Sequence, residues 1–293
     1  MSVSAALVKE LRGRTGAGMM DCKSALVDSD GDIDKAAELL RMKGAASAEK
    51  KAGRIAAEGI VCHQISDEGK RGVLVEVNCE TDFVARDSSF REFVSTISNE
   101  ILRKSPANLN ELSQLQLDSG ESIEDSRSAL VGRIGENISV RRFKIIEAQD
   151  GNISGYVHSD KIGVLVLIRG GTEQLGHDIA MHVAASNPQA IDESQISTQI
   201  LERERGIFQS QAEESGKPAE IVEKMVAGKI KKFLKENTLL GQSFIKNPEI
   251  IVQNLLDSEG AEVLETIRFE VAEGIEKKND DFVDEVLAQV EGR

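Results

Sequence analysis

Residues 59–77, GIVCHQISDEGKRGVLVEV, contain two short runs rich in β-branched residues on either side of a turn. The runs extend from Gly59 to Ile65 and from Val73 to Val77, and the intervening Ser66-Asp67-Glu68-Gly69 favours a turn. We therefore predict a β-hairpin. A helix of about four turns follows, because six apolar residues recur at intervals of three and four and can cover the sheet: Phe90, Phe93, Val94, Ile97, Ile101 and Leu102.

A similar order of elements follows later in the chain. Three strand-like runs, Ile138 to Ile146, Ile153 to Val157 and Gly163 to Ile168, precede an apolar helix from Leu175 to Ala185. Strands that are followed by a covering helix twice over indicate two related α+β halves. The predicted repeat is one of topology, without self-similarity between residues. A late strand, Glu262 to Glu270, is expected to return to the sheet.

The N-terminal region has a helical pattern instead. In residues 1–44, Gly16 and Gly18 interrupt apolar residues at helical spacing, which predicts a three-helix unit whose third helix ends at Gly44. Residues 45–57 are rich in Ala and Lys and predict an exposed linking helix. Residues 1–54 carry ten basic and eight acidic side chains, whereas the remainder is strongly acidic, which supports a domain boundary.

Other helical patterns lie within and after the second half. Ile196 to Ala212 and Ile221 to Leu234 predict an antiparallel hairpin inserted in that half. A polar passage from Ser105 to Asp125 is expected to be irregular, before a helix from Ser126 to Ile134. The C-terminal residues predict a helix with an acidic face and one apolar stripe, formed by Phe282, Val283, Val286, Leu287 and Val290.

Composition excludes several classes of protein. A chain of 293 residues favours two or more domains, and its net charge of -14 weighs against nucleic acid or an anionic membrane as a direct partner. The three cysteines form no Cys-x-x-Cys pair, which indicates reduced thiols and a cytoplasmic location. The longest apolar run, Val164 to Ile168, is too short for a membrane span.

The chain also lacks the motifs of common catalysts. His177 and His182 are five residues apart, which separates them by about 140° around a helix and does not suit a shared metal. There is no phosphate-binding loop or nucleophile elbow in the sequence. We therefore expect a binding protein without a cofactor, a metal or bond chemistry of its own.

Two segments are candidates for binding a partner. Met19 and Met20 follow a glycine-rich turn, and because adjacent helical residues cannot both face one core, one of them should be exposed. Phe83 follows a polar strand end at a strand-to-helix turn. Each segment has a structural alternative, in which Met fills the core at the start of a helix and Phe83 caps the core.

These two segments resemble the signatures of the bacterial elongation factor Ts family. The first signature is LRGRTGAGMMDCKSAL at residues 11–26, and the second is EVNCETDFVAR at residues 76–86. The likeness covers essentially the whole chain, including Gly135-Glu136-Asn137-Ile138 and Ser215-Gly216-Lys217-Pro218. It departs at Ser243, where the family would have Pro, and at Ala272, where it would have Gly.

The resemblance implies a domain organisation within the α+β class. It comprises a ubiquitin-associated-like three-helix domain at 1–54 and a core of two related α+β subdomains with antiparallel sheets. The subdomains span 55–151 and 152–190 with 240–274. A helical hairpin at 191–239 would mediate homodimerisation, and 275–293 would form a C-terminal module.

The resemblance also implies a function. Family members are guanine-nucleotide exchange factors that bind elongation factor Tu in its GDP-bound and nucleotide-free states. The turn Thr81, Asp82, Phe83 and Val84 would enter the GTPase domain near its Mg²⁺ site. Arg12, Met19 and Met20 would contact the same domain.

Two other classes of function remain open from the residues alone. An adaptor that only recognises another protein would form a complex with unchanged nucleotide affinity. An enzyme of the reduced cytosol would use Cys79 near Asp82 and show thiol-dependent turnover.

Overall fold

The computed structural model describes residues 3–214 and 216–275, which form an α+β fold. The helices are α1 Ala5–Thr15, α2 Met19–Asp28, α3 Ile33–Lys51, α4 Asp82–Arg86, α5 Ser88–Lys104, α6 Leu109–Gln114, α7 Ile123–Ile134, α8 Glu173–Ser186, α9 Thr198–Glu213, α10 Ala219–Asn237 and α11 Val252–Ser258. The strands are β1 Glu58–Ile65, β2 Arg71–Cys79, β3 Ile138–Glu147, β4 Asn152–His158, β5 Ile162–Arg169, β6 Ser243–Phe244, β7 Asn247–Ile251 and β8 Glu262–Glu270. The predicted C-terminal helix, with Phe282, Val283, Val286, Leu287 and Val290, lies outside the described residues.

The predicted hairpin and late strand are confirmed, and they belong to two three-stranded antiparallel sheets. The sheets have the orders β1-β2-β3 and β4-β5-β8, with β2 and β5 central. The prediction that grouped Ile138–Ile146 with the second half was wrong, because β3 pairs with β2. A strand's alternation indicates which residues share a face but not which strand is its neighbour.

The two sheets pack face to face between helices. Val73 and Val75 of β2 pack with α5 and α7, whereas Leu74 points the other way and meets Leu165 of the second sheet. Helix α8 covers the outer face of the second sheet through residues such as Ile179. Four layers result, in the order helix, sheet, sheet, helix, and both central strands are buried on both faces.

The two halves share residues as well as topology, contrary to the sequence prediction. Gly72-Val73-Leu74-Val75 in β2 corresponds to Gly163-Val164-Leu165-Val166 in β5. In each copy the valines face helices, the leucine faces the opposite sheet, and the glycine lets the sheets approach. A Cβ atom on Gly72 would lie 2.8 Å from Ile153, and one on Gly163 would lie 2.4 Å from Val61.

The three N-terminal helices form a separate apolar cluster, as predicted. Gly44 does not end the third helix, however, because α3 continues to Lys51. This glycine is instead where α3 crosses α7, since a Cβ atom on Gly44 would lie 3.3 Å from the carbonyl oxygen of Ser128. Ala48, in the segment predicted as an exposed linker, is buried in the first core.

The helical hairpin is present as α9 and α10, which pack through Ala212, Val222 and Val226. The passage from Ser105 to Asp125, predicted to be irregular, contains α6 and the first residues of α7. None of the helices within 3–214 and 216–275 is long and apolar enough to cross a bilayer. The domain boundaries given above remain predictions.

Candidate functional site

Phe83 lies in the short helix α4, directly after the central strand of the first sheet. Thr81 caps this helix, since its hydroxyl accepts a hydrogen bond from the N–H of Val84 at 3.4 Å. Val84 and Ala85 face the core and are buried, whereas Phe83 is 79% exposed. Thr81 and Asp82 are half-buried. The alternative in which Phe83 caps the core is therefore wrong.

A carboxylate from the turn between α7 and β3 holds this segment in place. Glu136 accepts two hydrogen bonds from Thr81, one from the backbone N–H at 3.0 Å and one from the hydroxyl at 2.8 Å. Next to it, the N–H of Asn137 donates to the carboxylate of Glu80 at 2.6 Å. Glu80 and Thr81 are thus both hydrogen-bonded to the turn between α7 and β3, which restricts the backbone conformations available to Phe83.

The N-terminal signature forms the turn between α1 and α2. Met19 is 60% exposed and Met20 is 72% exposed, so both side chains are exposed where at least one was expected to be. The core contacts of α2 come from Cys22, Ala25 and Leu26 instead. Arg12 is also exposed, and its carbonyl oxygen accepts the N–H of Gly16 at the end of α1. The Met residues are therefore available to a partner.

Arg133, at the C-terminal end of α7, lies close to the first candidate segment. A Cβ atom on Gly16 would lie 2.8 Å from Nη1 of Arg133. Hydrogen bonding from Ser89 chiefly lowers the pKa of Asp87, and the nearby charge of Arg133 contributes. Arg133 therefore lies against Gly16 of the first segment, and its charge also acts on Asp87, which follows α4. Glu136 comes three residues later in the chain. In the sequence, Glu136 stands out only as part of a motif shared with the family, and its contact with Thr81 was not predicted.

The thiol chemistry suggested for Cys79 is contradicted by its surroundings. Its side chain is fully buried, and burial raises the pKa of the Cys79 thiol to about 12, with the charge of Glu136 adding to the effect. The thiol donates to the carbonyl oxygen of Thr81 at 3.2 Å. Because the thiolate is the nucleophilic form, Cys79 is an inert structural residue near neutral pH.

The histidine side chains contact other groups of the protein. His182 is buried between Gln242 and the backbone of Ile245, and Nδ1 of His177 contacts the carbonyl oxygen of Gly155. Within the described part of the chain, no group of three or more His, Cys, Asp or Glu side chains could hold a metal ion.

The exposed Phe83 ring on a turn held by Glu136, together with the exposed Met19 and Met20, is typical of a protein that binds another protein. A family model described as elongation factor TS matches residues 80–273. The elongation factor Ts of Thioalkalivibrio sulfidiphilus is 52% identical over 293 residues, covering 100% of both chains. Those of Methylococcus capsulatus and Halorhodospira halophila are 50% and 52% identical over 290 residues, covering 99% of each chain. The chain belongs to the elongation factor Ts family, whose role is nucleotide exchange on elongation factor Tu in translation elongation.

Proposed function

We propose that this chain binds GDP-bound elongation factor Tu and promotes GDP release by inserting Phe83 near the Mg²⁺ site of the GTPase domain. The observation that carries the proposal is the exposure of Phe83, 79%, on a turn held by Glu136. Burying an aromatic ring contributes about 2–3 kcal/mol. A ring on a fixed turn also loses little conformational freedom on binding, so most of that energy is available to the complex.

The energy of binding can drive exchange without bond chemistry. A factor that binds the nucleotide-free GTPase more tightly than the GDP-bound form weakens GDP by the same ratio. Weakening by roughly 10⁴-fold needs about 5.5 kcal/mol of differential affinity. Phe83 supplies about half of this, and displacement of the side chains that organise Mg²⁺ removes charge neutralisation on the GDP phosphates. Thr81 and Asp82 add contacts beside the ring, whereas Val84 is buried and holds α4 against the first core.

The N-terminal segment contributes a second contact in this proposal. Arg12, Met19 and Met20 bind the same GTPase domain, which is supported by the exposure of all three side chains. The remaining inferences concern the whole chain. The hairpin at 191–239 forms a homodimer contact, the location is cytoplasmic, and the net charge of -14 disfavours direct binding of tRNA or an anionic membrane.

The decisive experiment is stopped-flow release of fluorescent GDP from elongation factor Tu. We expect Phe83→Ala to slow stimulated release by at least about tenfold, because the energy of ring burial is lost while the fold is unaffected. Gln174→Ala is the matched control. Gln174 is exposed and follows the capping Thr172 by two residues in the second half, as Phe83 follows Thr81 in the first.

A folded Phe83→Ala protein that stimulates release at the wild-type rate contradicts the proposal. If the wild-type chain binds elongation factor Tu but leaves GDP release unchanged, the adaptor class is correct instead.

A further inference from the structure

We propose that Glu136 is a positioning residue for nucleotide exchange, which acts by holding Thr81 so that Phe83 is presented in one orientation. This inference rests on the proposed function of Phe83. Glu136 itself is half-buried behind the turn. Its effect on exchange passes through the backbone of Thr81 to Phe83.

The contacts of Thr81 show how Glu136 fixes the turn. Its N–H and hydroxyl both donate to the Glu136 carboxylate, at 3.0 Å and 2.8 Å, and its carbonyl oxygen accepts the thiol of Cys79 at 3.2 Å. The same hydroxyl accepts the N–H of Val84. The carboxylate therefore orients the hydroxyl proton toward itself and leaves a lone pair for the cap of α4. Hydrogen bonds to an ionised carboxylate are stronger than neutral ones.

The second half of the molecule provides an internal comparison. There Thr172 caps α8 through its hydroxyl, which accepts the N–H of Leu175 at 3.1 Å. A glycine with positive φ precedes the last strand of each sheet, Gly135 before β3 and Gly260 before β8. Glu136 and Asn137 lie between Gly135 and β3, whereas only Ala261 lies between Gly260 and β8. Among residues 3–214 and 216–275, no carboxylate accepts a hydrogen bond from Thr172, so a capped turn of this kind forms without one.

Direct packing replaces the carboxylate in that second turn. A Cβ atom on Gly170 would lie 2.2 Å from the carbonyl oxygen of Gly260, and one on Gly171 would lie 3.0 Å from Cβ of Ala261. The capping threonine therefore does not by itself require Glu136. Because the carboxylate occurs in the half whose turn carries an exposed aromatic ring, its role concerns presentation of that ring.

A second difference between the halves supports this role. In the second half, α8 runs without interruption from the capping threonine to Asn187. In the first half, Asp87 separates α4 from α5, so α4 is a separate turn of helix and has only a few backbone hydrogen bonds of its own. A helix this short needs outside contacts to stay ordered. Without Glu136, the conformational entropy cost of ordering α4 would be met when the partner binds. We expect this cost to weaken the stimulation of GDP release about three- to tenfold.

A double-mutant cycle in the GDP-release assay tests whether Glu136 acts through Phe83. We expect Glu136→Ala to slow stimulated release about three- to tenfold in the wild-type background and less than about twofold in the Phe83→Ala background. Glu136→Gln, which keeps one acceptor, should have an intermediate effect. Glu111→Ala is the matched control, because Glu111 also accepts a backbone N–H, that of Ala107 at 2.8 Å, on α6.

A spectroscopic readout measures the orientation of the side chain independently of exchange. The chain contains no tryptophan, so Phe83→Trp introduces a single indole at the site. In the free full-length protein, we expect Glu136→Ala to lower the fluorescence anisotropy of that indole. Glu111→Ala should leave it unchanged. Thermal unfolding of each variant identifies any that fails to fold.

The outcomes separate this inference from the proposed function. If Phe83→Ala is slow but Glu136→Ala releases GDP at the wild-type rate, or loses the same factor in both backgrounds, only the positioning role is overturned. Unchanged anisotropy in a folded Glu136→Ala protein also overturns it. If Phe83→Ala itself is not slowed, the proposed function fails, and the positioning role fails with it.

Discussion

Glu76 and Ala272 are 196 residues apart in the chain, and the buried carboxylate of Glu76 accepts the backbone N–H of Ala272 at 2.8 Å. Glu76 lies on the central strand β2, and Ala272 follows β8 of the other sheet. Arg141 and Arg142 of β3 pair with the same carboxylate, at 2.9 Å and 2.5 Å. One buried anion thus joins both halves of the core, and its charge is balanced by two guanidinium groups.

Ala272→Gly should stabilise the protein. Ala272 has a φ of 61°, in the left-handed region that favours glycine, and the resemblance anticipated glycine at this position. We expect the free energy of unfolding to rise by about 0.5–1 kcal/mol in urea titrations. Ala227→Gly is the control, because Ala227 is exposed within α10 and should lose about 1 kcal/mol. A loss of stability in both variants would contradict the account of strain at Ala272.

Gly163→Ala should destabilise the contact between the sheets. A Cβ atom at this position would lie 2.4 Å from Cγ1 of Val61 and 2.8 Å from Cδ1 of Leu74, both of them buried. Overpacking of this kind costs about 1–3 kcal/mol. The same substitution at Gly228, which has open space around it in α10, should instead stabilise by up to about 1 kcal/mol. Opposite signs in urea unfolding are the expected result, and equal effects would refute it.

The sequence was most informative where local pattern determines structure. The β-branched run from Val73 to Val77 predicted a strand, and the spacing of the apolar residues from Phe90 to Leu102 predicted its covering helix. The exposure of Phe83 was left open between two readings. A residue at a strand end can face either the core or solvent, and local pattern does not decide which.

The errors concern contacts between distant segments. Gly44 can end a helix or admit another helix, and the choice depends on Ser128, far along the chain. The role of Glu136 likewise depends on a distant residue, because its partner Thr81 is 55 residues away in the chain. A polar residue in a turn normally faces water, so its pattern carries no sign of that contact.

Removal of the helical hairpin should change self-association more than exchange. Its two ends are held together, since the N–H of Leu239 donates to the carbonyl oxygen of Ala190 at 2.9 Å and that of Leu240 to Ile191 at 3.0 Å. Residues 192–236 can therefore be replaced by a short Gly/Ser linker while Ile191 and Leu239 remain in the second core. Exposed Ile207 would be lost with the hairpin.

Light scattering and GDP-release kinetics on the same preparation measure both effects. We expect fewer chains per particle in solution than for the wild type, and a rate of GDP release within about threefold of the wild-type rate. A folded deletion variant that keeps the wild-type oligomeric state but no longer stimulates GDP release would refute the prediction.

Acid should destabilise the protein through His182. The side chain is fully buried, and burial lowers its pKa below the usual value, an effect that the hydrogen bond to Gln242 only partly offsets. Gln242 donates its own amide to the carbonyl oxygen of Glu236, so its oxygen accepts from Nε2 of His182 at 2.9 Å. Nδ1 then accepts the N–H of Ile245 at 3.2 Å. If Nδ1 were protonated, its N–H would face the backbone N–H of Ile245, and the hydrogen bond between them would be lost.

The sign of the pH dependence follows from the lowered pKa. The unfolded chain binds a proton at His182 near the ordinary histidine pKa of about 6.5, whereas the folded chain resists it. Stability is therefore retained above that pH and falls as the pH drops below it, at most by about 1.4 kcal/mol per pH unit for one group. Urea unfolding at pH 7.5 and 5.5 should show a smaller loss in His182→Gln than in wild type. His158→Gln, at an exposed site at the end of β4, should behave as wild type. If His182→Gln and wild type lose the same stability between the two pH values, His182 is not the group responsible.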